Sequence, residues 1–335
     1  MLLGAASAQT SKKPPAAAPP AHELVLQGKV GAAVSLALKA PDGAASTLKA
    51  LLDRADAEVT ERQIAEAKAT LAGAGKFLDE CAKRSPRSAP PREALEGRRL
   101  RLEGIELSDQ KEYAKAEGVL RKALETSRKI KDTTLEAGVR NNLGHTLRLL
   151  GKDGEAVKEL TAARDIAEAN KDLARAGSYN FNLGLALYQS RRFEPAFDAF
   201  KRSAEQNQTA GKTGVEARAL LWQGRALSAV NSVSPEPIKY LSAAQKLFEK
   251  LGDSANLGWC YYYMGDHTAY SFKFKEAAAY GEAALVPFTK AADKEGLRQT
   301  YNFLADMFGR LNEAAKVELY RKKALEIASP QGGVK

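Results

Sequence analysis

The stretch FNLGLALYQSRRFEPAFDAFKRSAE, residues 181–205, restates the pattern of NNLGHTLRLLGKDGEAVKELTAARDIA, residues 141–167, at a distance of 40 residues. Working outward, the small residue of these two Leu-Gly pairs recurs as Gly104, Gly144, Gly184, Gly224, Gly265 and Ala305, in steps of 40, 40, 40, 41 and 40 residues, most of them after an apolar residue (Leu143, Leu183, Met264 and Leu304). Three positions further on stand Leu107, Leu147, Leu187, Leu227, Thr268 and Phe308. Twelve further on stand Ala116, Ala156, Ala196, Ala277 and Val317, and nineteen further on Ala123, Ala163, Ser203, Ala284 and Ala324. Polar turns at Asp132, Asp172, Lys212, Asp253 and Asp293 separate the units. Self-similarity at a fixed period of this length marks a repeat array.

The columns have a physical reading. Glycine inside a helix costs about 1 kcal/mol relative to alanine, so an aligned column of small residues needs a packing reason. A minimal side chain midway along a first helix lets a second helix cross closely, where ordinary pairs sit about 8–10 Å apart. The alanines belong to that second helix and serve the same contact, while leucines at helical spacing fill the space between. One pair cannot bury its apolar face alone, but stacked pairs can. Composition agrees: 44% of residues are apolar and 27% charged, an ordinary globular balance. Alanine, leucine, lysine and glutamate dominate and β-branched residues are sparse, so an all-α fold is expected.

These columns resemble the tetratricopeptide repeat (TPR), with its Leu-Gly pair, then an aromatic or leucine, then alanines. The period exceeds the usual 34 residues, as in the longer-helix subgroup that includes kinesin light chain and many bacterial regulators. HEAT repeats share the period, but the Leu-Gly and paired-alanine columns argue against them. The resemblance covers Pro91 to Ala328 and implies a solenoid of about six helical hairpins in a right-handed superhelix. Its first helices should line a concave groove that holds an extended partner segment. Two departures stand out. The fourth unit carries SVSPEP at 232–237 with one extra residue, and its prolines should start the second helix. In the fifth, Gly281 replaces a large residue and should thin that contact.

The chain outside the array divides into residues 1–21, 22–90 and 329–335. The first opens MLLGAASAQ, whose Ala6-Ser7-Ala8 resembles a signal-peptide cleavage site and points to a periplasmic or exported protein. The alternative is cytoplasmic. KKPPAAAPP at 12–20 is a Pro/Ala-rich linker, and 329–335 reads as a disordered tail. Residues 22–90 read as a helical cap or degenerate repeat. Within them, Val59 to Arg84 is expected to be a helix capped by Thr60, and Ser46 to Asp56 a shorter helix after a Pro41-Asp42-Gly43 turn. Val25 to Leu38 is only weakly helical in pattern.

Chemistry is not legible anywhere. No metalloprotease, nucleophile-elbow, Walker or dinucleotide motif occurs, and His22, His145 and His267 are scattered, so an enzyme, a cofactor and a metal are not expected. Asp266-His267 reads as packing. Cys81 and Cys260 are too far apart for a framework and read as buried thiols. No run of 18 apolar residues could span a membrane. The net charge of +10 carries no nucleic-acid-binding motif with it. The densest basic stretch, from Lys83 to Arg101, reads as a solvated turn and helix face.

A protein or peptide partner is therefore expected, held by an adaptor, scaffold or envelope assembly factor; a cytoplasmic peptide-sensing regulator is the alternative. By the resemblance, spacing from the small residue places Asn141, Asn142, Phe181, Asn182, Arg218, Trp222, Arg225, Trp259 and Tyr262 in the groove. Asparagine amides both donate to and accept from a peptide backbone. Aromatic and arginine residues are the usual interface anchors. Trp222 and Tyr263 can equally pack between units, whereas Trp259 and Tyr262 are expected to face the groove. Arg218 and Arg225 should donate charge-assisted hydrogen bonds there, which favours an apolar segment with acidic character. A C-terminal carboxylate clamp of the chaperone-binding kind matches only at Asn182 and Arg218, so an acidic C-terminal tail is not the expected ligand.

Overall fold

The computed structural model describes residues 19–40 and 42–328. The expectations for the signal remnant, most of the Pro/Ala-rich linker, Pro41 and the tail lie outside the described residues. Among those residues the secondary structure is helical, with no strand.

The chain divides into two compact units at Leu102 and Glu103. The first holds α1 (Ala21–Leu26), α2 (Val30–Ala37), α3 (Gly43–Thr60), α4 (Ile64–Arg84) and the start of α5 (Glu93–Asp109). Its core gathers Val34, Leu51, Leu52, Phe77, Leu78 and Cys81. Thr60 is not an N-cap. It ends α3, where its hydroxyl donates back to the Asp56 carbonyl at 2.7 Å, and Arg62 breaks the chain in the left-handed region at φ 63°. The expected basic face is also only partly solvated. Arg98 Nε and Arg101 Nη1 donate to the two carboxylate oxygens of Asp56 at 2.9 and 3.0 Å, and all three side chains are buried. Two guanidiniums on one carboxylate satisfy both oxygens, which is what makes burying such charge tolerable.

The second unit continues with α6 (Tyr113–Lys129), α7 (Thr133–Leu149), α8 (Asp153–Ala169), α9 (Leu173–Gln189), α10 (Phe193–Thr209), α11 (Thr213–Val230) and α12 (Glu236–Leu251). It ends with α13 (Ser254–Tyr270), α14 (Phe274–Lys290), α15 (Lys294–Arg310) and α16 (Ala314–Ala328). Successive helices pack as antiparallel hairpins, and each first helix also touches the next, as α9 touches α7 and α11. The six expected hairpins are present, the first being α5 with α6. The polar turns do what their sequence suggests: Asp132, Asp172, Asp253 and Asp293 accept from the third amide of the following helix at 2.9, 3.0, 3.1 and 2.9 Å.

The small-residue column is where the helices of a hairpin meet. A Cβ on Gly104, Gly144, Gly184 or Gly224 would lie 2.5–2.8 Å from Leu120, Leu160, Phe200 or Leu241. The alanine column, fully buried at Ala116, Ala156, Ala196 and Ala277, lets backbone approach as well: the Ala156 carbonyl lies 3.2 Å from that point on Gly144. Pro235 and Pro237 do begin α12, as cap and early first-turn residue. Gly281 does not thin its contact. Leu304 and Phe303 of α15 close onto it, at 2.8 and 3.1 Å from its would-be Cβ, so the next hairpin supplies the missing bulk. His267 is a packing residue. Its ring nitrogens meet the Ser228 hydroxyl at 2.7 Å and the Ser234 carbonyl at 2.6 Å, which pins the irregular turn to α13. Both thiols are buried, and burial pushes the Cys260 thiol far up.

Candidate functional site

The face built by α7, α9, α11 and α13 carries the groove residues, because the helical repeat of 3.6 puts positions 218, 222 and 225 of α11 on one side. On α7 and α9 the offering is polar. Asn182 Nδ2 donates to Asn141 Oδ1 at 2.8 Å across the two hairpins, so that pair is already partly committed. Asn141, Asn142 and Asn182 are all half-buried. Phe181 is not in the groove: it is 8% exposed and packs against Phe200, with ring centroids 5.8 Å apart.

On α11 and α13 the offering is aromatic and cationic. Trp222 stacks on Phe200 at 5.9 Å and meets the edge of Tyr188 at 5.4 Å. Trp259 stacks on Tyr263 at 5.5 Å and meets Tyr262 and Phe288 edge-on at 5.4 and 5.1 Å. Tyr262 leans on Phe303 at 5.6 Å. These rings are half-buried rather than fully exposed, so each both packs between hairpins and presents a part of itself to solvent. Trp259 is as deeply engaged in packing as Trp222, against the sequence expectation that separated them.

Arg225 joins the rings. Its guanidinium carbon lies 4.0 Å from the Tyr263 centroid, 4.1 Å from Trp222 and 5.2 Å from Tyr188. Three successive hairpins thus meet on one cation, an arrangement worth about 2 kcal/mol or more where it is desolvated. Sequence reasoning had placed Arg225 in the groove but not Tyr188, which stands one turn beyond Gly184 and carried no distinguishing pattern. Arg218 sits 5.3 Å over the Phe181 ring. Its side chain reaches solvent, yet the surrounding wall desolvates it enough to lower its pKa, with Asp253 acting in the opposite sense.

Beside Arg225 is a recess of about 100 Å³ lined by Tyr188, Ser228, Tyr263, Asp266 and Tyr270. Burial raises the Asp266 carboxyl above its ordinary range, with Arg225 and then His267 pulling it back. Burial likewise pushes the Tyr263 phenol up to about 12. Among the described residues no group of His, Cys, Asp and Glu could hold a metal ion, and no helix is long and apolar enough to cross a membrane.

No family model and no curated protein sequence matches the chain. Among solved structures it is similar to a signal-transduction ATPase with numerous domains and a tetratricopeptide-repeat sensor, from Pyrococcus horikoshii. That likeness has a TM-score of 0.62 at 12% identity, over 91% of this chain and 45% of that one, so the chain spans less than half its length. It is also similar to NprR in complex with its cognate peptide NprX (TM-score 0.57, 14% identity, 85% of this chain and 79% of that one). A Rap protein complexed with competence and sporulation factor gives a TM-score of 0.55 at 14% identity, over 92% and 98% of the two chains. At these identities the likeness is one of fold. The chain folds as a TPR-like helical solenoid.

Proposed function

We propose that the chain is a non-enzymatic scaffold that holds an extended protein or peptide segment across the first helices of hairpins three to five. One observation carries this reading: the half-buried strip of Tyr188, Trp222, Arg225, Tyr263, Trp259 and Tyr262, which presents aromatic and cationic surface from three successive hairpins on one side. Such residues are the usual anchors of interfaces. Asn141, Asn142 and Asn182 continue the strip with groups that suit a peptide backbone.

A second reading, a cytoplasmic peptide-sensing regulator, is favoured by two of the structural neighbours, which hold a peptide or a factor in complex. The periplasmic or exported location expected for an adaptor rests on Ala6-Ser7-Ala8, not on this face. Both readings need the same groove.

The test is selection of peptides from a random display library on the wild-type chain, followed by affinity measurements on a selected peptide. Trp259→Ala should weaken binding by about 2 kcal/mol, roughly thirtyfold. It should also lower the melting midpoint, because the ring packs on the fully buried Phe288. Lys201→Ala, on an exposed position of α10, should change neither. Unchanged affinity in the Trp259 variant would sink the groove assignment.

A further inference from the structure

We infer that Arg218 and Arg225 form a paired receptor for two side-chain carboxylates of the partner segment, about 10 Å apart and bracketing an apolar side chain seated on Trp222. The inference rests on the reading of this face as a binding groove.

The unengaged hydrogen-bonding capacity of these two arginines carries it. Partly buried guanidiniums elsewhere in the second unit are committed, whereas Arg225 is half-buried and Arg218 reaches solvent. Arg140 is held by Glu136 and Glu159, and Arg175 by Asp172. Arg148 donates to Gln189. Arg218 and Arg225 instead lie over rings, and among the described residues no acceptor meets their N–H groups. A guanidinium carries five N–H donors in its own plane. Rings take up the faces of the Arg225 guanidinium and one ring lies under that of Arg218, which leaves the edges to bind, and such an edge matches a carboxylate in bidentate fashion. Stacking on Trp222 and Tyr263 also fixes Arg225 beforehand, so little side-chain freedom is lost when an anion docks.

The spacing follows from the helix. Seven residues at 1.5 Å each set the backbones of the two arginines about 10 Å apart along α11, with Trp222 between them, and that axial step is the spacing assigned to the carboxylates. An extended chain covers that distance in about three residues. Two carboxylates at this separation must include a side chain, since a chain terminus supplies only one. Phosphate fits the same fork, but the Asp266 carboxyl shares the recess beside Arg225, and a dianion there meets more repulsion than a monoanion.

The experiment follows the arginine Nε–H resonances of the ¹⁵N-labelled full chain, assigned through Arg218→Lys and Arg225→Lys. Suberate, an eight-carbon dicarboxylate, is compared with acetate, phosphate and chloride at matched ionic strength. Suberate should shift both resonances saturably, and roughly fivefold or more tighter than acetate because its second end binds intramolecularly. Arg140 should not move, and Arg218→Lys should remove the advantage of suberate. The receptor is overturned if neither arginine responds, if chloride or phosphate shifts them as strongly, or if suberate binds no tighter than acetate. Peptides selected on the wild type should carry paired acids about three residues apart. Peptides that depend on Trp259 yet lack such acids overturn the receptor and leave the groove standing. Saturable suberate binding with no peptide selected sinks the groove reading and, with it, the assignment of the receptor to a partner segment.

Discussion

Gly184→Ala offers the sharpest test of how the hairpins are held, because the same substitution elsewhere should act with the opposite sign. Alanine is favoured over glycine in a helix by about 1 kcal/mol. At Gly184, however, the added Cβ would stand 2.6, 2.7 and 2.9 Å from three carbons of the Phe200 ring. That ring is fully buried and rigid, and it is itself stacked on Trp222 and packed against Phe181. It cannot yield by rotating a flexible end, so the hairpin must open or the ring must shift. Overpacking of this kind costs about 1–3 kcal/mol. Set against the propensity gain, the net loss should be about 1–2 kcal/mol at the upper end of that range. Gly118 in α6 has nothing within 4 Å of its would-be Cβ and an ordinary backbone. There alanine should stabilise by up to about 1 kcal/mol. Urea and thermal melts followed by circular dichroism read both variants, with each kcal/mol worth about 2–4 °C in a cooperative unit of 150–250 residues. Tryptophan emission adds a local readout, since a displaced Phe200 presses on Trp222. If Gly184→Ala melts at or above wild type, the close crossing is not what the glycine column is for.

Two further outcomes follow from single positions. Phe272 sits in the left-handed region at φ 59° and is 78% exposed; Phe272→Gly should raise stability by about 1 kcal/mol, since that conformation costs a side-chain-bearing residue about 1–2 kcal/mol, and a destabilised variant would show that its edge contact with Phe274 matters more than the strain. For Asp266, burial raises the folded-state pKa, so its stability contribution is complete below the ordinary carboxylate pKa and is lost as pH rises through the raised value. Asp266→Asn should therefore gain midpoint over wild type progressively from about pH 4 toward neutrality, and a difference constant with pH refutes the assignment.

The array was legible because its contacts repeat. The small residue recurs in every hairpin, and alanines and capping aspartates recur in most, each making the same contact where it occurs, so spacing alone exposes the job. Legibility stopped where a contact is made once. The residue that lands on each glycine is sixteen or seventeen positions on, at Leu120, Leu160, Phe200 and Leu241, and it is blurred by the extra residue of the fourth hairpin. Gly281 looked like a defect because the bulk that covers it, Phe303 and Leu304, comes from the following hairpin. Thr60 satisfied the rule for a cap, yet a threonine hydroxyl bonds equally well to the carbonyl four residues back, and Arg62 rather than Thr60 breaks the helix. Asp56, Arg98 and Arg101 are more than forty residues apart in the pairing, and nothing local marks a charge as buried.

The candidate face shows the same limit in a form that bears on function. Spacing from the glycine put Phe181 and Asn182 in the groove alike, but adjacent residues on a helix point about 100° apart, and only Asn182 faces outward. The aromatic positions were posed as either packing or binding, and the structure shows them packed against neighbouring rings while part of each still reaches solvent. Arg225 lies over rings from α9, α11 and α13, so a segment that pairs with its edge would hold three hairpins in one relative arrangement. In a repeat array, stability is carried by neighbour-to-neighbour interfaces, so ligand binding at such a junction acts directly on the interfaces that set the curvature. At a ligand concentration one hundred times the dissociation constant, the bound state gains about 2.7 kcal/mol. A scaffold and a peptide sensor built on this face would share that coupling. They would differ in whether the free chain already holds the bound arrangement, which is a question of populations rather than of contacts.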